Sequence, residues 1–418
     1  MSDNNSMTHE SAAGPVTETH QDKGATLSVF WAFLKLGLTS FGGPVAHLGY
    51  FREAFVIRRR WLDEHAYADL VALCQFLPGP ASSQVGIGIG LSRSGLPGAL
   101  AAWLGFTLPS AMLLILFGFG VTTFRDAIPP GILHGLKIVA VAVVAQAVWG
   151  MARSLTPDAP RVTLAILAAI AVLFMEAPLM QVAVIAAGGV AGLVFLKAGE
   201  EPPKSTLGIM TGRRKALVSL ALFFALLFGL PLLAAAFPSP SMALVDGFFR
   251  SGSLVFGGGH VVLPLLQAEM VPPGWVSGDA FMAGYGVAQA VPGPLFTFSA
   301  YLGTVMAGAP NGWLGALICL VAIFLPSFLL VIGALPFWDQ LRHLPSVRKA
   351  LLGVNAAVVG LLLAALYHPV WTGAIHSGGD FALALAAFAL LVFWRVPPWA
   401  VVLLTALGGW GLEGVISS

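Results

Sequence analysis

Four short breaks rich in glycine and proline interrupt otherwise apolar stretches: Phe41-Gly42-Gly43-Pro44, Pro78-Gly79-Pro80, Phe256-Gly257-Gly258-Gly259 and Pro292-Gly293-Pro294. Proline removes a backbone donor and clashes with the preceding turn, and glycine permits positive φ and close approach. In hydrocarbon the freed backbone groups must find partners, so such breaks survive only inside protein or beside a wet cavity. One use is an anion site, because a half-helix N-terminus presents free N–H groups and a positive dipole end. The other reading of a single break is a packing kink; four symmetric ones favour the site. Gly42, Gly43, Gly257 and Gly258 are its candidate backbone donors.

Side chains able to hold an anion stand close by. Lys35, Lys137 and Arg250 lie within or at the edge of apolar runs. A charge there costs about 2.5–3.5 kcal/mol on insertion scales, so it faces a cavity or partner, or snorkels to the headgroups. His47 and His260 follow the glycines at matching repeat positions, and Gln75 and Gln289 precede each Pro-Gly-Pro by three residues. Each offers a hydrogen bond to an oxyanion or a bond within the helix bundle. The stretch from Arg52-Glu53 to Arg58-Arg59-Arg60-Trp61-Leu62-Asp63-Glu64 is dense in charge. It reads as an interfacial piece that gathers anions at a vestibule mouth or contacts anionic lipid. Glu53, Arg58, Asp63, Pro78, Pro80, Pro292 and Pro294 are candidates for gating or coupling, and Glu53, His47 or His260 for a coupling proton.

The elements that must position these residues follow from composition. Of 418 residues 57% are hydrophobic and only 10% charged, with mean hydropathy +0.87, against about 25% charged in soluble domains. A soluble enzyme, a nucleic-acid binder and a disordered scaffold are excluded, and an all-α polytopic membrane protein is expected. Cys74 and Cys319 are too few for a disulfide framework or a cysteine metal site. The absence of a Walker A motif, of His-Glu-x-x-His and of a serine nucleophile with a partner argues against ATP drive and against a membrane enzyme. No cofactor or metal is expected. The net charge of +2 says nothing of partners.

The breaks belong to an internal repeat. Phe41 to His47 matches Phe256 to His260; Gln75 to Pro80 matches Gln289 to Pro294; Phe106-Thr107-Leu108-Pro109-Ser110 matches Phe324-Leu325-Pro326-Ser327; and Gly135-Leu136-Lys137 falls opposite Gly353-Val354-Asn355. The offset drifts only from about 214 to 218 residues, as expected of a duplicated transporter fold. The expected organisation is a disordered cytoplasmic tail over 1–25, a first transmembrane repeat over 26–197, a cytoplasmic linker over 198–215, an inverting helix over 216–238 and a second repeat over 241–416. Each repeat reads as six apolar segments, and the odd helix between them turns the second upside down. Two arrangements remain. Thirteen crossings put Arg58-Arg59-Arg60 outside, against the positive-inside rule. Re-entrant hairpins for the first two segments of each repeat bring that cluster inside and leave about nine crossings. Both arrangements put the N-terminus and linker in the cytoplasm and the C-terminus outside.

These motifs resemble the chromate ion transporter family in its two-domain form. The resemblance rests on Lys35-Leu36-Gly37, Ser40 to Pro44, Arg58 to Leu62 and Gln75 to Pro80, with Phe256 to His260 and Ala288 to Pro294 as second-domain versions. It covers about residues 26 to 415. It implies a secondary transporter in the inner (plasma) membrane that exports chromate and confers chromate resistance. Some family members are associated with sulfate, so another oxyanion, or a passive anion channel, is the alternative. Beyond the oxyanion and the bilayer, protons and a second copy of the chain are the partners to test.

Overall fold

The computed structural model describes residues 23–124, 127–175, 178–198 and 212–416. Residues 1–22 of the expected tail and 199–211 of the expected linker lie outside them. The first repeat opens with α1 (Lys23–Thr39), α2 (Gly43–Phe51) running into a π turn (Arg52–Arg58), α3 (Glu64–Phe76) and α4 (Ala81–Thr123). Asp63 caps α3 by accepting the Ala66 N–H at 2.8 Å. The 43 residues of α4 are not one rod. At Ser94 and Gly95 the backbone leaves helical geometry, and a short arm (81–93) folds back on a long arm (96–123) with Gly90 packed on the Gly98 backbone. Small residues let the two backbones meet.

Contacts along these elements fix their directions. Phe33 of α1 stacks on Phe55 of the π turn at 4.7 Å, and the Arg93 guanidinium lies 5.5 Å from the Trp61 ring. Thr26, at the start of α1, bonds Ser94 at 2.9 Å. So α1 enters from one face of the molecule, which we call the near face, and α2 returns to it. Leu70 of α3 packs on Gly88 of the short arm, so α3 and the short arm form a second hairpin of the same sense. The nine residues of α2 with the seven of the π turn that continues it span at most about 24 Å, and the 13 of α3 about 20 Å, short of a hydrocarbon layer of about 30 Å. The apolar segments read as 27–51 and 66–91 are therefore each a pair of half-helices. The re-entrant arrangement describes them and the thirteen-crossing one does not.

The second repeat reproduces the plan with α9 (Pro240–Leu254), α10 (Val262–Met270), α11 (Gly278–Ala288), α12 (Phe298–Val305) and α13 (Gly312–Ala334). Gly303 and Gly315 meet as Gly90 and Gly98 do. This second turn sits beside Phe119, whose ring lies 5.5 Å from Trp313. Phe119 is separated from the first turn by about 36 Å of the long arm of α4 at ~1.5 Å per residue. The two pairs of hairpins thus enter from opposite faces.

The remaining helices are α5 (Pro130–Leu155), α6 (Ala159–Phe174), α7 (Pro178–Phe195), α8 (Arg213–Ala236) between the repeats, α14 (Trp338–His343), α15 (Pro345–Ala365), α16 (Gly378–Val392) and α17 (Pro398–Ile416). They are exchanged between repeats: α5 packs on α16 and α17, and α15 on α6 and α7. Gly135 rests on Thr405 of α17 and Gly353 on Gly188 of α7, so the fourth sequence match marks the two helix crossings. Asp158 caps α6, and its bond to the Arg161 side chain holds that carboxyl below its usual range. Among the described residues, five helical stretches are long and apolar enough to cross a membrane. One of them is α4, of which only the long arm counts. Helix directions collect Arg58, Arg59, Arg60, Arg93, Arg153, Arg161, Arg213, Arg214, Lys215, Arg348 and Lys349 at the near face.

Candidate functional site

The four breaks meet in the interior, and they meet across the repeats. The Gly79 N–H of the first Pro-Gly-Pro donates to the Val255 carbonyl beside the second glycine run, at 2.7 Å. The Gly293 N–H of the second Pro-Gly-Pro donates to the Ser40 carbonyl beside the first, at 2.9 Å. Both glycines hold positive φ, +124° and +104°, which a side chain resists. Both are also pressed against the opposite repeat. A Cβ on Gly79 would stand 2.9 Å from Ser327 Oγ, and one on Gly293 would stand 2.9 Å from Ser110 Oγ. The serines of the third repeated match therefore face the opposite repeat's Pro-Gly-Pro. Pro44 lies against Gly259, so the two glycine runs are also neighbours.

Buried polar side chains surround this crossing. Gln84 Nε2 donates to the Pro78 carbonyl at 2.6 Å. Ser40 Oγ, Ser83 Oγ, Gln84 Oε1 and Thr107 Oγ1 from the first repeat, and Ser299 Oγ and Ser327 Oγ from the second, are buried without a protein partner. Leaving such a group unsatisfied costs about 1–3 kcal/mol, so their concentration at one crossing sets it apart from the rest of the interior. The N-terminus of α2 adds backbone donors: Gly42 caps it at φ +98° with no side-chain bond.

The residues chosen from the sequence divide. Gly42, Gly43, Gly257, Gly258, Pro78, Pro80, Pro292 and Pro294 are at the crossing. His47 is there too, but committed: Nε2–H donates to the Ser40 carbonyl at 3.2 Å and Nδ1 pairs with Ser82 Oγ at 3.3 Å. It braces the first break and has no free nitrogen for an anion. His260 is not its equivalent. It lies in the short 3-10 turn (Gly259–Val261) that leads into α10 and pairs through Nδ1 with the Tyr285 hydroxyl at 2.8 Å. Gln289 Nε2 donates to the Tyr285 carbonyl at 3.3 Å, and Gln75 is exposed on α3. Lys35 is exposed on the side of α1 away from the crossing.

Arg250 is held between two carboxylates. Its guanidinium bonds Asp246 at 2.9 Å and Glu269 at 2.8 Å, so two carboxylates already claim it. At the near face Glu53 pairs with Arg58 at 2.8 Å and Arg52 with Glu64 at 2.6 Å, while Asp63 serves as the α3 cap. Arg342 of α14 binds Asp69 of α3 at 3.1 Å, tying the repeats together there.

Sequence reasoning passed over Ser40, Ser83, Gln84, Thr107, Ser110, Ser299 and Ser327. A signal was present: Ser110 and Ser327 close a repeated motif, and Ser40 and Ser82-Ser83-Gln84 flank two breaks.

A family model described as Chromate transporter matches residues 27–193 and 242–410, one match per repeat. An uncharacterized transporter of Methanocaldococcus jannaschii is 28% identical over 81% of this chain and 83% of its own. A probable chromate transport protein of Synechococcus elongatus is 25% identical over 90% and 93%. A chromate transport protein of Pseudomonas aeruginosa is 29% identical over 80% and 78%. No solved structure matches.

Proposed function

Because the chain belongs to the chromate transporter family, we propose that it exports chromate from the cytoplasm and binds the anion where the four breaks cross. The observation that carries this reading is the reciprocal pairing of breaks, Gly79 to Val255 and Gly293 to Ser40, amid unpartnered buried hydroxyls. Chromate is a tetrahedral dianion near neutral pH, and its oxygens accept hydrogen bonds. The crossing offers what such a guest needs: hydroxyl donors from both repeats and backbone N–H groups at the start of α2. A site between oppositely oriented repeats can be reached from either face in turn.

The site acts through dipoles, since Arg250 is neutralised by Asp246 and Glu269 and Lys35 points away. The anion then keeps both its charges during passage. Each charge crossing 100 mV is worth about 2.3 kcal/mol, so a dianion leaving a negative interior gains about 4.6 kcal/mol per 100 mV without ATP. The basic near face is cytoplasmic by the positive-inside rule. On this reading the N-terminus and the linker (198–215) lie inside and the C-terminus outside the inner membrane. Residues 26–197 and 241–416 act as the two transmembrane repeats, 216–238 inverts the second, and export of this kind confers chromate resistance.

Radiolabelled chromate uptake by inside-out vesicles under a positive-inside potential tests the reading. Saturable, potential-dependent uptake that excess sulfate barely inhibits is expected. Equal inhibition by sulfate makes the protein a general oxyanion carrier, and uptake that does not saturate makes it a channel. No uptake at any potential removes the proposal.

A further inference from the structure

The face opposite the basic one holds a cavity of about 1000 Å³. It is lined by titratable side chains from both repeats. His134 and Lys137 come from α5, Asp279 from α11, His376 from the segment before α16, Asp380 from α16 and Glu413 from α17. They are linked in pairs across the repeats. His134 Nε2 lies 2.8 Å from Asp380 Oδ1, and Lys137 Nζ lies 2.9 Å from Asp279 Oδ1. Asp380 Oδ2 accepts the His376 and Ser377 N–H groups at 3.0 and 2.9 Å. Glu413 Oε2 accepts the Gly131 N–H at 2.7 Å. Both carboxylates thus sit on backbone N–H groups at helix N-termini.

Among the described residues the wall holds three carboxylates and one lysine, a formal charge of −2 with both imidazoles neutral. Asp380 as acceptor fixes the proton of His134 on Nε2, leaving Nδ1 as the position for a second proton. The His376 ring lies 5.9 Å from that of His134 and nearly parallel to it. Protonating both rings brings the wall to zero. Imidazole is the side chain suited to taking up a proton at mild acidity, and among the described residues lining the cavity His134 and His376 carry it.

We infer that this vestibule is a proton-binding site centred on the His134–Asp380 pair, and that its protonation governs return of the anion from the far side. The inference rests on the transport reading but concerns a different part of the molecule. With both rings neutral, the negative wall repels a dianion, aids its release and opposes re-entry. With both protonated, the wall admits it. A low-dielectric mouth focuses such a field, so the change in local anion concentration is on the order of tenfold.

The test uses the full-length protein in proteoliposomes with voltage clamped and near-side pH fixed. Labelled chromate is offered from the far side at pH 8 to 5.5. The ratio of wild-type uptake to that of the double variant His134→Gln with His376→Gln is expected to rise about tenfold on acidification. Comparison of the two at each pH removes any contribution from the anion's own protonation. Glutamine keeps an N–H for Asp380, and near-to-far flux at fixed voltage confirms that the variant is folded and active. If the double variant does not fold, His376→Gln alone, which leaves the Asp380 pairing intact, must halve the response or more. A ratio that stays constant across the pH range overturns the inference while the transport reading stands. No flux in either direction at any pH removes both.

Discussion

The two break regions descend from one motif yet sit differently. In the second repeat, Val261 to Leu266 are all buried; α10 packs on α15 and α7, and α11 on α5. In the first repeat, α2 and α3 rest mainly on α4 and the π turn, and Val45 is 85% exposed. The equivalent positions Lys35 and Arg250 show the difference in one residue each. Arg250 staples α9 to α10 through Asp246 and Glu269. The Lys35 ammonium has no partner among the described residues and lies on the outside of α1. One hairpin is locked into the bundle and the other leans on it. Duplication preserved the backbone break, which the site needs, and left free the surroundings that anchor it. In a carrier whose site must open to each face in turn, the first hairpin is the one with fewer contacts to break.

The largest effect expected from breaking this contrast is on stability. Arg250→Met strands one buried and one half-buried carboxylate, at a cost of about 3 kcal/mol, seen as a lower melting temperature in detergent. Adding Asp246→Asn and Glu269→Gln should recover most of the loss and the flux with it. Recovery of folding without flux would return Arg250 to the anion site. Lys35→Met should leave melting within about 0.5 kcal/mol of wild type, as surface changes do.

Next come the crossing glycines. Gly79→Ala and Gly293→Ala each force a side chain into positive φ, worth about 1–3 kcal/mol, and push against a serine of the other repeat. Vesicle flux should fall at least about tenfold in each, equally in the anchored and the leaning hairpin. A loss confined to one would break the symmetry of the site. Ser327→Ala removes one donor to a charged guest, worth about 1.5–3 kcal/mol. The half-saturating chromate concentration should rise about tenfold or more while melting stays unchanged, because no protein bond is lost. Smaller than these is the effect of Asp63→Ala, which removes the α3 cap for about 1 kcal/mol and leaves the half-saturating concentration as it was.

Much of this was legible in the sequence because breaks are backbone features. Gly-Gly-Pro and Pro-Gly-Pro write chain direction into residue type, so the repeat, the hairpins and their opposed entry follow from spacing and one odd helix. Side-chain partnership is not written that way. Arg250 reads as a free cation because Glu269 is a helix away in sequence. Lys35 reads as buried because its neighbours are apolar, though apolar neighbours are also what a lipid-facing helix shows. The serines of the crossing were hidden by abundance, since a serine in a membrane helix usually bonds its own backbone, as Ser253 does to Phe249. His47 and His260 look equivalent by motif, but a helix start shifted by a few residues separates their partners.

The central claim is that the anion sits among dipoles where the breaks of the two repeats cross. Chromium supplies its own label. Crystals grown with chromate and measured above and below the chromium absorption edge locate the anion by anomalous difference density. The account predicts a single strong peak within hydrogen-bonding distance of Ser40, Ser327 or the amides that open α2. A peak beside Lys35 or Arg250, with none at the crossing, would contradict it.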